Sequence, residues 1–390
     1  MSKPFQSAFF PVFIIVMVYA AVSFLLFNQH GIKVVTDSHR YLAYAEELKD
    51  GFYFDPHNFW YLGYVLFIFF IKSFGGGITS LIIAQHIIGL LGALALYFAS
   101  ARIFSNQKTA AITAMAYILF IDIISWNSYV LCESFYMSML CFSALVLTRI
   151  WKGGSSLNNF LLAAPILLLT VVSKPTGIAL VAAGGVWMVH RLFGLTKSPL
   201  TRAALVLGTL AGMLLLSNKM LASYTHIDKD YRAGELIYSI SQLPSTRGFE
   251  LLIVEPPSDM YLPAQGQPPV LRILSFIIHN PIYWVELFIK KALLLLLHVR
   301  PYWSHMHNIY ALLFLIPTYV LFARGLKKIT LPKDFKLFIG TYLIAHVGIV
   351  GLSTVDWDGR FLLPLLPALF LLAAPVLEEL ISKKVKNVFN

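Results

Sequence analysis

The sequence predicts an all-α, polytopic integral membrane protein, and three observations lead to that class. Of its 390 residues, 58% are hydrophobic and only 13% charged, with a mean hydropathy of +0.73. Soluble domains average about 45–50% apolar and about a quarter charged residues. Apolar runs of about 18 residues or more, long enough as helix to cross a hydrocarbon core, recur along the chain. The only two cysteines, Cys132 and Cys141, fall in one apolar region and make no disulfide framework. This composition excludes a soluble enzyme and a disordered chain. The net charge of +11 does not point to nucleic acid, because the basic residues sit in short loops between apolar runs.

The first apolar run, Ala8 to Phe27, follows Lys3. It exceeds a signal-peptide core of about 7–15 residues and lacks a small-x-small cleavage site, so it reads as a retained anchor. Further spans are Ile78–Ala101, Thr109–Trp126, Ser134–Ile150, Thr201–Leu221, His305–Ala323, Phe335–Ser353 and Phe361–Ile381. Asn158–Val172 and Thr176–Leu192 form a pair around the corner Ser173-Lys174-Pro175, which brings the count to ten. Two stretches are ambiguous and would raise it to twelve. Trp60–Phe74 gives ~22 Å of helix against a core of ~30 Å, and Tyr283–His298 contains Glu286, Lys290 and Lys291. If neither crosses, Arg102, Lys108, Arg149, Lys152, Arg191, Lys197 and Arg202 all face the cytoplasm. If both cross, all are exported in short loops, against the positive-inside rule. Both stretches are therefore expected as interfacial helices on the outer face, with both termini in the cytoplasm.

On this map residues 1–390 are one transmembrane domain with no separate soluble domain. The large outer segments are residues 28–77, with amphipathic helices, and 222–304, with an interfacial helix. All but Asp334, Glu378 and Glu379 of the 19 carboxylates lie outside or at the outer membrane edge. Any chemistry is expected on that face. Within the first outer loop, Tyr41, Tyr44, Ala45 and Leu48 recur at helical spacing, while Glu46, Glu47, Lys49 and Asp50 take the opposite face. This is a short amphipathic helix that Gly51 can stop. Asp37 sits just before it, where a carboxylate can cap free backbone N–H groups.

Here the sequence resembles a family. An acid at the end of the first outer loop, followed by Tyr, Ala, Leu and Gly at these intervals, is similar to the polytopic GT-C glycosyltransferases. That group includes the protein O-mannosyltransferases and the aminoarabinose transferases. Leu131-Cys132-Glu133-Ser134 resembles the family's second outer acid at a helix start. Asp358-Gly359-Arg360-Phe361-Leu362-Leu363-Pro364 resembles its Arg-aromatic-Leu-Leu-Pro approach to the last conserved helix. The chain departs from the pattern in having Asp37-Ser38 where many members have Asp-Glu, and Asp55-Pro56-His57-Asn58 where they have Lys-Pro-Pro or His-Pro-Pro. The resemblance implies an inverting transfer of a sugar from a polyprenyl-phosphate donor to a hydroxyl or amine of a glycan, lipid or protein. The reaction would occur on the outer face of a bacterial inner (plasma) membrane, with membrane lipids as further partners. Whether a divalent cation is required stays open, as do the sugar and the acceptor.

In that reaction a carboxylate takes the acceptor's proton and cations receive the leaving phosphate. Asp37 is the candidate base; the alternative is a helix cap. Glu133 is a second site acid, positioning the acceptor or holding a cation; the alternative is a helix-start carboxylate. Lys174 is the most informative cation, because exported short loops tend to avoid Lys and Arg. It, Arg360 and Arg40 are candidate phosphate ligands, against lipid-headgroup contacts. Asp122, near the outer edge, is a weaker candidate. Asp356-Trp357-Asp358 reads as a loop closure, since no nucleotide-binding αβ alternation accompanies it. His298, His305 and His307, with Arg300, Tyr302 and Trp303, read as an aromatic interface belt. A lipid-linked-sugar flippase or transporter is the alternative class. Acids gathered at one face, with nearly uncharged helix centres, favour surface chemistry over passage.

Overall fold

A computed structural model describes residues 4–153, 157–222, 227–242 and 249–389. Parts of the segment expected as the second outer one, 223–226 and 243–248, lie outside the described residues. Among the described residues the α-helices are α1 (Pro4–His30), α2 (Thr36–Glu47), α3 (Leu62–Ser73), α4 (Ile78–Phe104), α5 (Gln107–Leu119), α6 (Ile121–Ser125), α7 (Cys132–Gly153) and α8 (Leu157–Val171). They continue with α9 (Ile178–Leu195), α10 (Pro199–Ala222), α11 (Ile227–Ala233), α12 (Pro269–His279), α13 (Pro281–Leu297), α14 (His305–Lys328), α15 (Lys333–Leu352) and α16 (Leu366–Phe389). Extended pairing among the described residues is confined to isolated bridges, Lys33 with Tyr129, Glu235 with Ile253 and Ile237 with Val355.

The expected class holds: the chain is an all-helical integral membrane protein. Eight described helices (α1, α4, α7, α9, α10, α14, α15 and α16) are long and apolar enough to cross a bilayer. The run expected as one span over Thr109–Trp126 is broken. Phe120, fully buried, takes ψ 84°, and the chain bends by 61° between α5 and α6. The new helix opens with Asp122 in its first turn, where a carboxylate complements the N-terminal dipole. Counted as one span, the bent pair makes a ninth. The expected span Asn158–Val172 is the 15-residue helix α8, which at ~1.5 Å per residue is shorter than the hydrocarbon core.

The chain divides into two compact units. The first comprises Met1–Gly177, Pro317–Pro332 and Leu363–Asn390; the second comprises Ile178–Ile316 and Lys333–Leu362. In the first, α4 packs along α7, and a Cβ on Gly92 would stand 3.0 Å from the Ser138 Cα. Small residues let membrane helices approach this closely. Hydroxyl pairs complete the contacts. Ser100 meets Thr113 between α4 and α5, and Ser143 meets Thr170 between α7 and α8, both at 2.9 Å. In α2, Tyr41, Tyr44 and Ala45 are buried and Glu46 and Glu47 exposed; just past its end Leu48 is half-buried and Lys49 and Asp50 are exposed. Glu46 pairs with Lys72 of α3 across the outer side of this contact. Gly51 takes φ +128° after the helix ends, a conformation that costs little without a Cβ.

In the second unit α9 lies along α15, where Arg191 bonds Asp334 at 2.5 Å with His190 at 3.6 Å. Asn218 of α10 accepts from the Val270 N–H of α12 at 2.9 Å. Gly351 of α15 makes room for the Phe288 ring of α13.

One glycine in the first unit sets a close approach. The Gly63 N–H donates to the Val172 carbonyl at 2.8 Å. A Cβ at Gly63 would collide with the Ser173 hydroxyl and reach 2.6 Å from the Leu169 carbonyl oxygen. Gly63→Ala should therefore destabilise the solubilised protein by about 1–3 kcal/mol, as overpacking does. Thermal unfolding of the variant checks this, and an unchanged midpoint would contradict the contact.

Candidate functional site

The site in the first unit is built outward from Tyr41. The start of α2 is capped by Ser38, whose hydroxyl accepts from the Val35 N–H at 2.9 Å. Asp37 is thus not the cap that the sequence allowed. It lies inside the first turn of α2, with its side chain 40% exposed. Arg40 follows one turn later. Its guanidinium donates to Asn58 Oδ1 at 2.6 Å and to Asp37 at 3.4 Å. It also lies over the rings of Tyr41 and Tyr61, at 4.6 and 4.7 Å from their centroids. Two cation–π contacts hold this cation between two rings tilted at 47° to each other.

Behind Arg40, Tyr41 is buried against Tyr61 and Tyr64. Its hydroxyl lies 4.0 Å from the sulfur of Cys132, the first residue of α7. Burial pushes the Tyr41 phenol well above its usual range, with Cys132, Tyr61 and Glu133 adding to the effect. It is a neutral hydroxyl at any physiological pH.

Glu133 follows in the first turn of α7, and Lys174 comes from the corner after α8. Their side chains, 2% and 4% exposed, meet at 3.0 Å between Lys174 Nζ and Glu133 Oε1. The other carboxylate oxygen is 3.7 Å from Cys132 Sγ. Four of the five sequence candidates, Asp37, Arg40, Glu133 and Lys174, therefore lie in one unit on elements joined through Tyr41. The sequence did not connect Glu133 with Lys174, which are 41 residues apart.

The fifth candidate, Arg360, belongs to the second unit, 4.0 Å from Asp358 and beside the Phe361 ring. There two segments that the sequence singled out separately come together. Arg300, buried to 1% exposure, donates to the carbonyls of Asp356, Leu294 and Val299. The Tyr302 hydroxyl donates to the Trp357 carbonyl at 2.8 Å. The Asp356 carboxylate accepts from the Phe361 N–H at 3.2 Å, in keeping with the expected loop closure.

Several site residues gave no sequence motif. Tyr61 and Gly63 lie in a stretch read only as an apolar helix, and Asn58 was noted only as the end of Asp55-Pro56-His57-Asn58. Gln85 had one visible mark, an amide within the apolar run of α4. It is wholly buried, accepting from the Tyr64 hydroxyl at 2.7 Å and donating to the carbonyls of Asn127 and Tyr129.

No family model and no curated protein matches the chain. Among solved structures it is similar to the crystal structure of ArnT from Cupriavidus metallidurans bound to undecaprenyl phosphate, at 17% identity and a TM-score of 0.49. The similarity covers 94% of this chain and 60% of that one.

The Glu133–Lys174 pair makes a stability prediction independent of any activity. Removing one partner of a buried ion pair leaves an uncompensated charge and costs about 3–5 kcal/mol, whereas replacing both is often near neutral. Glu133→Gln and Lys174→Met should each lower the unfolding midpoint sharply. The double variant should recover most of the loss. Additive losses in the double-mutant cycle would mean that the pair does not act as a unit.

Proposed function

We propose that this protein is an inverting glycosyltransferase of the GT-C type, moving a sugar from a polyprenyl-phosphate donor to an acceptor hydroxyl or amine at the outer face of the membrane. The observation that carries the reading is the gathering of two acids and two cations, each pair with its own surroundings, about Tyr41. The motif resemblance at Asp37, Glu133 and Arg360 supports the same reading.

Asp37 is assigned as the base because it is the accessible acid of the two. The acceptor oxygen attacks the anomeric carbon, forming a C–O bond as the anomeric carbon–phosphate oxygen bond breaks. The acceptor proton passes to Asp37, and the electron pair leaves on the polyprenyl phosphate. Attack from the face opposite the leaving group inverts the anomeric centre. Arg40, pre-oriented by two rings and Asn58, is the first phosphate ligand in this scheme. A rigid guanidinium presents paired donors that suit phosphate oxygens. Lys174 is shared with Glu133, so its charge serves the phosphate only in part. Its other task is to keep Glu133 ionised and in place at the start of α7. Arg360 is assigned to the donor phosphate from its motif.

Asp37→Asn tests the base. Asn keeps the shape of the side chain. It gives up a first-turn charge worth about 0.3–1 kcal/mol to the helix, so the protein should fold. General-base catalysis contributes about 10²–10⁴-fold, so sugar transfer by the folded variant should fall at least ~100-fold while binding of the lipid-linked donor stays near wild type. Transfer at the wild-type rate would remove Asp37 from the mechanism. Loss of donor binding would make it an organiser of the site. The proposed sidedness has its own check. With the native cysteines replaced, a cysteine introduced at Gly77 should react with an impermeant maleimide from outside, and one at Lys108 should not. Labelling of both from outside would overturn the map.

A further inference from the structure

The second unit buries three charged side chains that the proposed reaction does not use. Asp230 of α11, Glu235 just beyond it and Lys291 of α13 are 5%, 0% and 0% exposed. Gly234, at φ +64°, makes the turn between the two acids against the Val254 carbonyl. The Glu235 carboxylate accepts from the Ser239 N–H at 2.8 Å, the Ser241 N–H at 3.0 Å and the Ser241 hydroxyl. Three donors thus converge on this one carboxylate. The Glu235 N–H donates to the Asp230 carbonyl at 3.0 Å, which brings the two buried acids together, and neighbouring buried carboxyl groups disfavour ionising both. Lys291 donates to the Ser353 carbonyl at 2.5 Å, and its ammonium lies 5.0 Å from the centre of the Tyr231 ring. The Tyr231 hydroxyl donates to the Leu352 carbonyl at 2.6 Å. Val355 is paired on one side with Leu236 and on the other with Tyr238. The end of α15 and the segment that carries Arg360 are thus fastened to the chain around the buried charges.

The groups that act on Asp230 are Lys229 of its own helix, Glu235 and Lys291. Tyr231 lies next to it, with the Tyr283 hydroxyl on the Tyr231 carbonyl and Glu286 near Tyr283. The end of α15 contributes the carbonyls of Leu352 and Ser353.

We infer that Asp230, Glu235 and Lys291 form a proton-operated clamp on residues 353–362. With Asp230 protonated, the acid pair carries one negative charge, Lys291 balances it, and the ammonium stays on the Ser353 carbonyl. When Asp230 loses its proton, two negative charges face one ammonium. Lys291 is drawn towards them and its hold on Ser353 weakens. Burial, with Glu235 adding and Lys291 opposing, raises Asp230 from an ordinary 3.8 to about 7, which places the change near neutrality. The folded protein then binds a proton that the unfolded chain has released. Stability therefore falls as the pH rises from about 4 to about 7.

The test is hydrogen–deuterium exchange of the full chain in lipid nanodiscs at pH 6 and pH 8, corrected for the intrinsic pH dependence of exchange. Protection of amides 353–362 in the wild type should fall about tenfold at the higher pH, as loss of one pK unit of interaction implies. Asp230→Asn keeps a neutral donor towards Glu235 and should lose the step near pH 7, leaving only the later loss of the charge on Lys291, whose pKa burial lowers to about 8. Glu235→Gln removes the neighbouring charge and should move the step to lower pH. An unchanged wild-type segment, or a wild-type step in Asp230→Asn, would overturn the clamp. Should Asp230→Asn fail to fold, an unshifted step in Glu235→Gln would overturn it equally. None of these outcomes depends on sugar transfer, so a failed clamp and a failed enzymatic reading are told apart.

Discussion

The first unit depends on one buried amide. Gln85 sits in the middle of packed apolar helices, and its side chain would cost about 1–3 kcal/mol for each polar end left without a partner. Both ends are satisfied. The carbonyl end accepts from Tyr64 of α3, and the amide end reaches the carbonyls of Asn127 and Tyr129. The turn before α7 is thereby fixed, and Lys33 pairs with that same turn through Ser128 and Val130. Asn127 continues the network to Tyr19 of α1 at 2.8 Å and to Ser134 of α7 at 2.5 Å. The positions of Asp37, just after Lys33, and of Glu133, just after Val130, follow from these bonds.

In the proposed reaction that placement suits the two acids to different tasks. Asp37 stands part-exposed at a helix start, beside a guanidinium held by aromatic rings. Glu133 is almost wholly enclosed, and its counter-charge is already supplied by Lys174. A carboxylate sealed in an ion pair is poorly suited to accept a proton, because protonating it would strand the lysine. It is well suited to holding the start of α7 and to orienting what lies in front of it. Environment alone divides the labour between two groups of like chemistry, as it does where paired acids serve as acid and base.

The sequence revealed whatever followed from periodicity and composition. The apolar runs became helices, and the split of Tyr41, Tyr44 and Ala45 from the charged face of α2 became its buried and exposed sides. That Asp37, Glu133 and Lys174 stand at helix starts or corners was also legible, because each borders a helical pattern. The pairings were not. Glu133 meets Lys174 and Arg300 meets Asp356 across 41 and 56 residues, and nothing local in the chain encodes such a meeting. The break at Phe120 was equally hidden, since an apolar run reads the same whether straight or bent. The N-cap of α2 falls on Val35, two residues before Asp37, because the helix starts earlier than the periodicity showed, and Ser38 at the third helical position reaches back to the Val35 N–H.

Both units solve the same problem in the same way. With extended pairing among the described residues limited to single bridges, loop carbonyls near the membrane need donors from elsewhere, because unsatisfied backbone groups out of water are costly. Long polar side chains within apolar helices or just beyond them supply these donors. Gln85 serves Asn127 and Tyr129, Lys291 serves Ser353, and Arg300 serves Leu294, Val299 and Asp356. Such a side chain can thus hold a loop without a sheet, provided the donor stays charged or amidic and stays buried. The arrangement also makes such loops sensitive to charge. Gln85 and Arg300 cannot change protonation state in the physiological range, so the loops they hold are fixed. Lys291, with its pKa lowered by burial to about 8, holds its loop through a charge that neighbouring acids can redirect. The Ser353 end of the segment carrying Arg360 is therefore the part whose fastening responds to protons, while Arg300 holds the Asp356 carbonyl throughout.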